Sequence, residues 1–137
     1  MSRKLLTGNA AAAWGARLAG IDYVPAFPIT PQTEIIETLS GWFDNGDIQG
    51  RLTVLESEHS MITAAGAAAA SGVRVFTATS SQGLLHGMEM IYAVTGWRAP
   101  FVLGQRRLRQ YRSAVFRRYA PCSPYGNQQR PDGVSRL

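Results

Sequence analysis

The stretch RLTVLESEHSMITAAGAAAA (residues 51–70) decides how the rest of the chain is read. Its first five residues are apolar and branched enough for a strand. Ser57 then offers a helix cap. The alanine-rich run behind it favours helix to about Ser71, with Gly72 as its stop. Between strand and helix stand Glu56, Glu58 and His59. Carboxylates at such a junction are either a solvated helix start, complementing the helix dipole, or a reactive edge.

The flanking segments repeat the same alternation. Residues 8–20 (GNAAAAWGARLAG) predict a helix ending at a glycine, and residues 22–27 (DYVPAF) a short strand in which Pro25 is awkward. Thr30 and Pro31 suit the cap and first residue of a second helix, whose Ile35, Ile36, Leu39, Trp42 and Phe43 share one face. Residues 73–77 (VRVFT) predict a third strand, followed by a polar turn, TSSQG. Residues 84–95 predict one further helix, and residues 100–103 the start of a fourth strand. Strands alternating with helices imply an α/β fold with a parallel sheet.

Composition narrows the class. The chain has 137 residues, 45% of them hydrophobic and 17% charged, which suits one globular domain. The single cysteine, Cys122, excludes an internal disulfide, and with no Cys-x-x-Cys the chain alone holds no iron–sulfur cluster or cysteine zinc site. No signal peptide and no run of roughly 18 apolar residues is present, so a cytoplasmic protein away from membranes is expected. The net charge of +5 is unevenly placed: residues 1–103 carry six Lys and Arg against eight Asp and Glu, whereas residues 104–137 carry eight Arg against one Asp.

In open α/β sheets, ligands bind at the carboxyl ends of the strands. Three such ends carry polar residues here: FPITPQTEI (residues 27–35), LESEHS (residues 55–60) and TATSSQG (residues 77–83). Each is ambiguous alone. Thr30 reads equally as a helix cap, Glu58 as a dipole partner and His59 as a surface or packed histidine. His86 and Glu89, three apart on a helix, read as a local polar pair, and two ligands without a third are weak for a metal, so no metal site is expected. Neither GxGxxG nor a Walker sequence occurs.

The three stretches FPITPQTEI, ESEHSMITAAGAAAASG and VFTATSSQGLLHGMEMIY occur in order and at fitting separations. With them, residues 8–103 resemble the N-terminal, pyrimidine-binding domain of the α subunit of 2-oxoacid:ferredoxin oxidoreductases, most of all the pyruvate form, the pyruvate synthases. The resemblance implies a thiamine diphosphate-binding fold with the cofactor between two subunits. By the motif, Glu58 would be the carboxylate on N1′ of the aminopyrimidine, and Thr30 would lie near the thiazolium and substrate. Pro28, Ile29, Ser81 and Gln82, in the matching stretches, would line the cofactor. A proton shared between Glu58 and N1′ favours the imino form at the 4′ nitrogen, which can then take the C2 proton and create the nucleophile for a 2-keto carbon. A half-buried carboxyl suits that role better than a solvated one. The family further implies a β subunit holding most of the diphosphate and Mg2+, iron–sulfur clusters on partner chains, a ferredoxin-type subunit, and coenzyme A as acyl acceptor.

After Leu103 the motif likeness stops. The family's Asn-Arg, whose arginine holds the substrate carboxylate, is missing; Arg106, Arg107 and Arg109 are near its place but out of register. The expected division is therefore a partial thiamine diphosphate domain, residues 1–104, and an Arg-rich tail, residues 105–137. Leu108, Tyr111, Val115 and Tyr119 fall near helical spacing among arginines, a pattern that suits nucleic acid or anionic surfaces. On that reading the chain is a non-catalytic relict that binds nucleic acid or a partner protein through its tail. Short amphipathic matches also arise by chance, and the abrupt stop inside a strand motif favours a truncated or out-of-frame α-subunit fragment, inactive by itself and without a nucleic-acid partner.

Overall fold

The structure, a computed structural model, describes residues 5–106; the readings made on the tail from Arg107 onward, Cys122 included, lie outside the described residues. Helices α1 (Gly8–Leu18), α2 (Thr33–Asp44), α3 (Glu58–Ala70), α4 (Ser81–His86) and α5 (Met88–Gly96) alternate with strands β1 (Tyr23–Ala26), β2 (Arg51–Val54), β3 (Phe76–Ser80) and β4 (Val102–Arg106). β1 pairs in parallel with β2, from Tyr23↔Arg51 to Ala26↔Val54. β3 pairs in parallel with β4, from Phe76↔Val102 to Ser80↔Arg106. A parallel bridge, Tyr23↔Val75, joins the two pairs. The spatial order is thus β2-β1-β3-β4, and every strand ends on the same edge.

Pro25 explains why the middle of the sheet is held by so little ladder. Carbonyls of Asp22 and Ala26 accept from Arg51 and Leu55 on the β2 side, while the Tyr23 N–H donates to Arg74 O on the other side. Two residues on, Pro25 faces that same β3 side with no N–H to give. The buried Thr77 hydroxyl donates instead to Pro25 O at 2.7 Å. A proline that argues against a central strand is accommodated there, and its carbonyl is satisfied by a threonine side chain.

Alternate strand residues serve opposite faces. Val24, Ala26, Phe76 and Ala78 pack with Ala13 and Ala16 of α1 and Ile35, Ile36 and Leu39 of α2. On the other face, Val75 packs with Ala65 and Ala69 of α3, and Met61 and Ile62 pack with Val94 of α5. Burying each larger aliphatic side chain contributes roughly 1.5–3 kcal/mol. Small residues let α3 and α5 approach: a Cβ on Gly66 would collide with Val94. Asp22 and Arg74 clamp the start of β1 to the segment before β3 through paired hydrogen bonds of 3.0 Å, which hold the Asp22 carboxyl below its ordinary value.

Three expectations are corrected. The second helix starts at Thr33, not after a Thr30 cap: Gln32 N–H closes a turn on Ile29 O, Asn9 Nδ2 holds Pro31 O, and the Thr30–Pro31 peptide is cis. β3 lies three residues later than residues 73–77, so the supposed polar turn is strand through Ser80 and helix from Ser81. Its threonines are β-branched and suit a strand despite their hydroxyls. Finally, the single helix over residues 84–95 is two, divided at Gly87, where a Cβ would stand 3.0 Å from Ile62 Cγ1. The α/β class, the parallel sheet, the Ser57 cap and the Gly72 stop are as expected.

Candidate functional site

The carboxyl edge of the sheet gathers the three polar junctions. α3 opens with Ser57 extended, its Oγ accepting from the Ser60 N–H at 3.2 Å, as a side-chain cap should. Glu58 follows as the first helical residue. An acid there complements the helix dipole, so the position is favourable for a carboxylate even before any partner is counted. What a solvated helix start does not explain is its burial: Glu58 is only 5% exposed.

Its surroundings come from β3 and α4. His86 Nδ1 lies 2.8 Å from Glu58 Oε2, across 28 residues of sequence. Gly83 packs against the other oxygen: a Cβ there would stand 2.5 Å from Oε1 and closer still to Thr79 Oγ1. Gly87, one turn on, faces the Glu58 backbone carbonyl, with a virtual Cβ at 3.4 Å. Thr79 is 1% exposed, and its hydroxyl has no hydrogen-bond partner among the described residues. A buried polar atom without a partner costs about 1–3 kcal/mol. Thr79 Oγ1 is thus a buried hydroxyl without a partner among the described residues, standing beside Glu58 Oε1 where both pack against Gly83. A buried carboxyl can accept a hydrogen bond or share a proton.

The remaining predicted residues line the same edge. Ser80 Oγ donates to Thr30 O at 2.9 Å, tying the turn after β1 to the end of β3. Thr30 and Pro28 are exposed and Ile29 is half-buried; no hydrogen bond joins Thr30 to Glu58 among the described residues. Ser81 is buried with φ 36, a left-handed conformation that is uncommon for a residue with a side chain and tends to mark a constrained functional turn. Gln82, next to it, is exposed. Gln32 is fully buried and donates from Nε2 to Phe27 O, leaving Oε1 without a partner among the described residues.

Glu56 is exposed, and His59 Nε2 stands 4.0 Å from Glu89 Oε2 at the surface. The expected His86–Glu89 pair is therefore corrected: His86 reaches Glu58, and Glu89 faces His59. Sequence reasoning missed His86, Thr79, Gly83 and Gly87. The available signal was Gly83 and Gly87, four apart on one helical face, which announces a close approach by another element. Among the described residues no group of three or more His, Cys, Asp or Glu is placed to hold a metal ion, and no helix is long and apolar enough to cross a membrane.

Comparison with known proteins puts this geometry in context. Residues 14–110 match the family profile "Pyruvate flavodoxin/ferredoxin oxidoreductase, thiamine diP-bdg", a match that runs past Leu103. The pyruvate synthase subunit PorA of Methanocaldococcus jannaschii is 46% identical over 100 residues, 73% of this chain and 26% of that protein. The ketoisovalerate oxidoreductase subunit VorA of Pyrococcus horikoshii is 46% identical over 101 residues, 74% of this chain and 26% of that protein. Among solved structures, the 2-oxoglutarate:ferredoxin oxidoreductase from Magnetococcus marinus, with 2-oxoglutarate, coenzyme A and succinyl-CoA bound, aligns with a TM-score of 0.69 at 28% identity. That alignment covers 74% of this chain and 18% of the other. This chain thus spans about a quarter of the length of the curated relatives it matches.

Proposed function

This chain belongs to the pyruvate flavodoxin/ferredoxin oxidoreductase family through its thiamine diphosphate-binding domain, and we propose that it supplies the pyrimidine half of the cofactor site in a 2-oxoacid:ferredoxin oxidoreductase, with Glu58 on the pyrimidine N1′. The observation that carries this reading is the burial of Glu58 at the carboxyl edge of the sheet, with Oε1 beside Gly83 and the unpartnered Thr79 hydroxyl. The donor set suits a thiamine pyrimidine: a buried carboxyl can share a proton with a ring nitrogen, and the Thr79 hydroxyl beside it has no partner among the described residues.

When bound, thiamine diphosphate supplies a thiazolium that adds to a 2-oxo carbon and accepts the electron pair released with carbon dioxide. The chain's own contribution is proton management and placement. Glu58 holds a proton at the carboxyl oxygen facing the pyrimidine. Burial keeps bulk water from competing for that contact and strengthens it electrostatically. Thr30, with Pro28 and Ile29 in the turn fixed by Ser80 Oγ, lies on the substrate side and offers a hydroxyl to the 2-oxoacid. Ser81 and Gln82 form the wall at the start of α4.

Pyruvate is the substrate we favour, supported by the likeness to a pyruvate synthase subunit; the likeness to ketoisovalerate and 2-oxoglutarate enzymes supports the wider class of 2-oxoacids. The β subunit would hold the diphosphate and Mg2+, partner chains would hold the iron–sulfur clusters, ferredoxin would take the electrons, and coenzyme A the acyl group. The test uses the α subunit carrying this domain, assembled with its β subunit, thiamine diphosphate, Mg2+ and coenzyme A. Viologen reduction on pyruvate is expected to fall roughly 10²- to 10⁴-fold in Glu58→Ala, the range of a lost acid–base group. Unchanged turnover refutes the assignment.

A further inference from the structure

Resting on that reading of Glu58, we propose that His86 is its positioning residue: Nδ1 fixes Oε2, so that Oε1 is the oxygen presented to the pyrimidine nitrogen. The two carboxylate oxygens are not equivalent. Oε2 takes the imidazole at 2.8 Å, while Oε1 packs beside Gly83 and Thr79 with no hydrogen bond among the described residues. An unrestrained glutamate would exchange its oxygens by rotation about the terminal bond, a broad and soft torsion. The hydrogen bond to His86 removes that freedom and leaves a single oxygen to meet the pyrimidine nitrogen.

The backbone is built to permit the contact. His86 is the last residue of α4, and α4 ends at Gly87. Gly83 and Gly87 bring one face of that helix against Glu58, the first at the carboxyl and the second at the backbone carbonyl. With side chains at those positions, α4 would stand off and the imidazole would lose its reach. His86 is also the exposed member of the pair, its side chain 61% accessible against 6% for Glu58. The imidazole therefore lies between the buried carboxylate and water. With the Glu58 proton placed on Oε1, Oε2 can only accept, so the imidazole nitrogen that faces it, Nδ1, must carry a proton.

Two measurements test this. In 15N NMR of the 137-residue chain, the neutral His86 ring is expected as the Nδ1–H tautomer, reverting to Nε2–H in Glu58→Ala; an Nε2–H ring in the unaltered chain overturns the proposal. In the assembled enzyme, the dissociation constants of thiamine diphosphate and of its analogue with C–H in place of N1′ are compared. His86→Ala is expected to weaken thiamine diphosphate about tenfold and leave the analogue unchanged. His86→Asn, whose amide N–H takes the place of Nδ1–H, is expected to restore most of the loss. Equal losses for both ligands, or none, overturn the positioning role. The Glu58→Ala variant separates the two ideas: if it discriminates between the ligands and His86→Ala does not, only His86 loses its role. If Glu58→Ala does not discriminate either, the N1′ assignment fails and the His86 proposal with it.

Discussion

Replacing Gly83 by alanine tests how tightly α4 packs on Glu58. The added Cβ would stand 2.5 Å from Glu58 Oε1 and 3.1 Å from its Cδ, about 0.9 Å short of the 3.4 Å at which ordinary contact begins. Thr79 Oγ1 blocks the other side, and a threonine in a fully buried strand has little room to yield. The carboxyl must therefore swing, and the 2.8 Å bond to His86 goes with it. Overpacking costs about 1–3 kcal/mol. The lost hydrogen bond adds about 1.5 kcal/mol, at the low end for a charged pair because His86 is largely exposed. Alanine's helix preference offsets up to about 1 kcal/mol. The net is a destabilisation of about 1.5–3.5 kcal/mol, or a melting temperature lower by roughly 6–15 °C in a domain of this size. Thermal unfolding by circular dichroism reads this directly. Gly15→Ala in α1 is the control, since nothing lies within 4 Å of its virtual Cβ, and it is expected to gain up to about 1 kcal/mol. Two equally stable alanine variants would refute the close packing of α4 on Glu58.

Other expectations follow from the fold. Ser57→Ala removes the oxygen that accepts from the Ser60 N–H and should cost about 1 kcal/mol in urea unfolding, with the m-value unchanged. Leu39→Ala empties a fully buried site between α2 and the sheet and should cost about 2–5 kcal/mol by the same measurement. Asp22 is held below its ordinary value of 3.8 by Arg74. A lowered carboxyl contributes stability that is complete above pH 3.8 and lost as pH falls through the folded value. The stability difference between wild type and Asp22→Asn should therefore be constant at neutral pH and shrink to nothing in acid; a difference that grows below pH 3.8 would contradict the pairing.

What could be read from the sequence was local. Ser57 caps α3, and Gly72, with φ 85, ends the segment after it, because capping and left-handed turns depend on a few neighbouring residues. Glu58 could be placed at a strand–helix junction for the same reason. The failures involve distant partners. Thr30 resembles a cap, yet its carbonyl belongs to Ser80, 50 residues away. Thr79 and Ser80 look like the start of a turn until β4 pairs with them and gives them a place in the sheet. His86 has an acid three residues along the helix, the pairing that local spacing favours. Its actual partner is 28 residues away and becomes reachable only because two glycines let α4 sit flush against α3.

The central claim is that the pyrimidine of thiamine diphosphate meets Glu58, and the most direct measurement is a distance. In a crystal structure of the assembled enzyme with thiamine diphosphate bound, Glu58 Oε1 is predicted to lie about 2.6–3.0 Å from N1′, a charge-assisted hydrogen bond, while Oε2 keeps His86 Nδ1. A pyrimidine whose N1′ faces another residue, with Glu58 beyond hydrogen-bonding reach, would contradict the account.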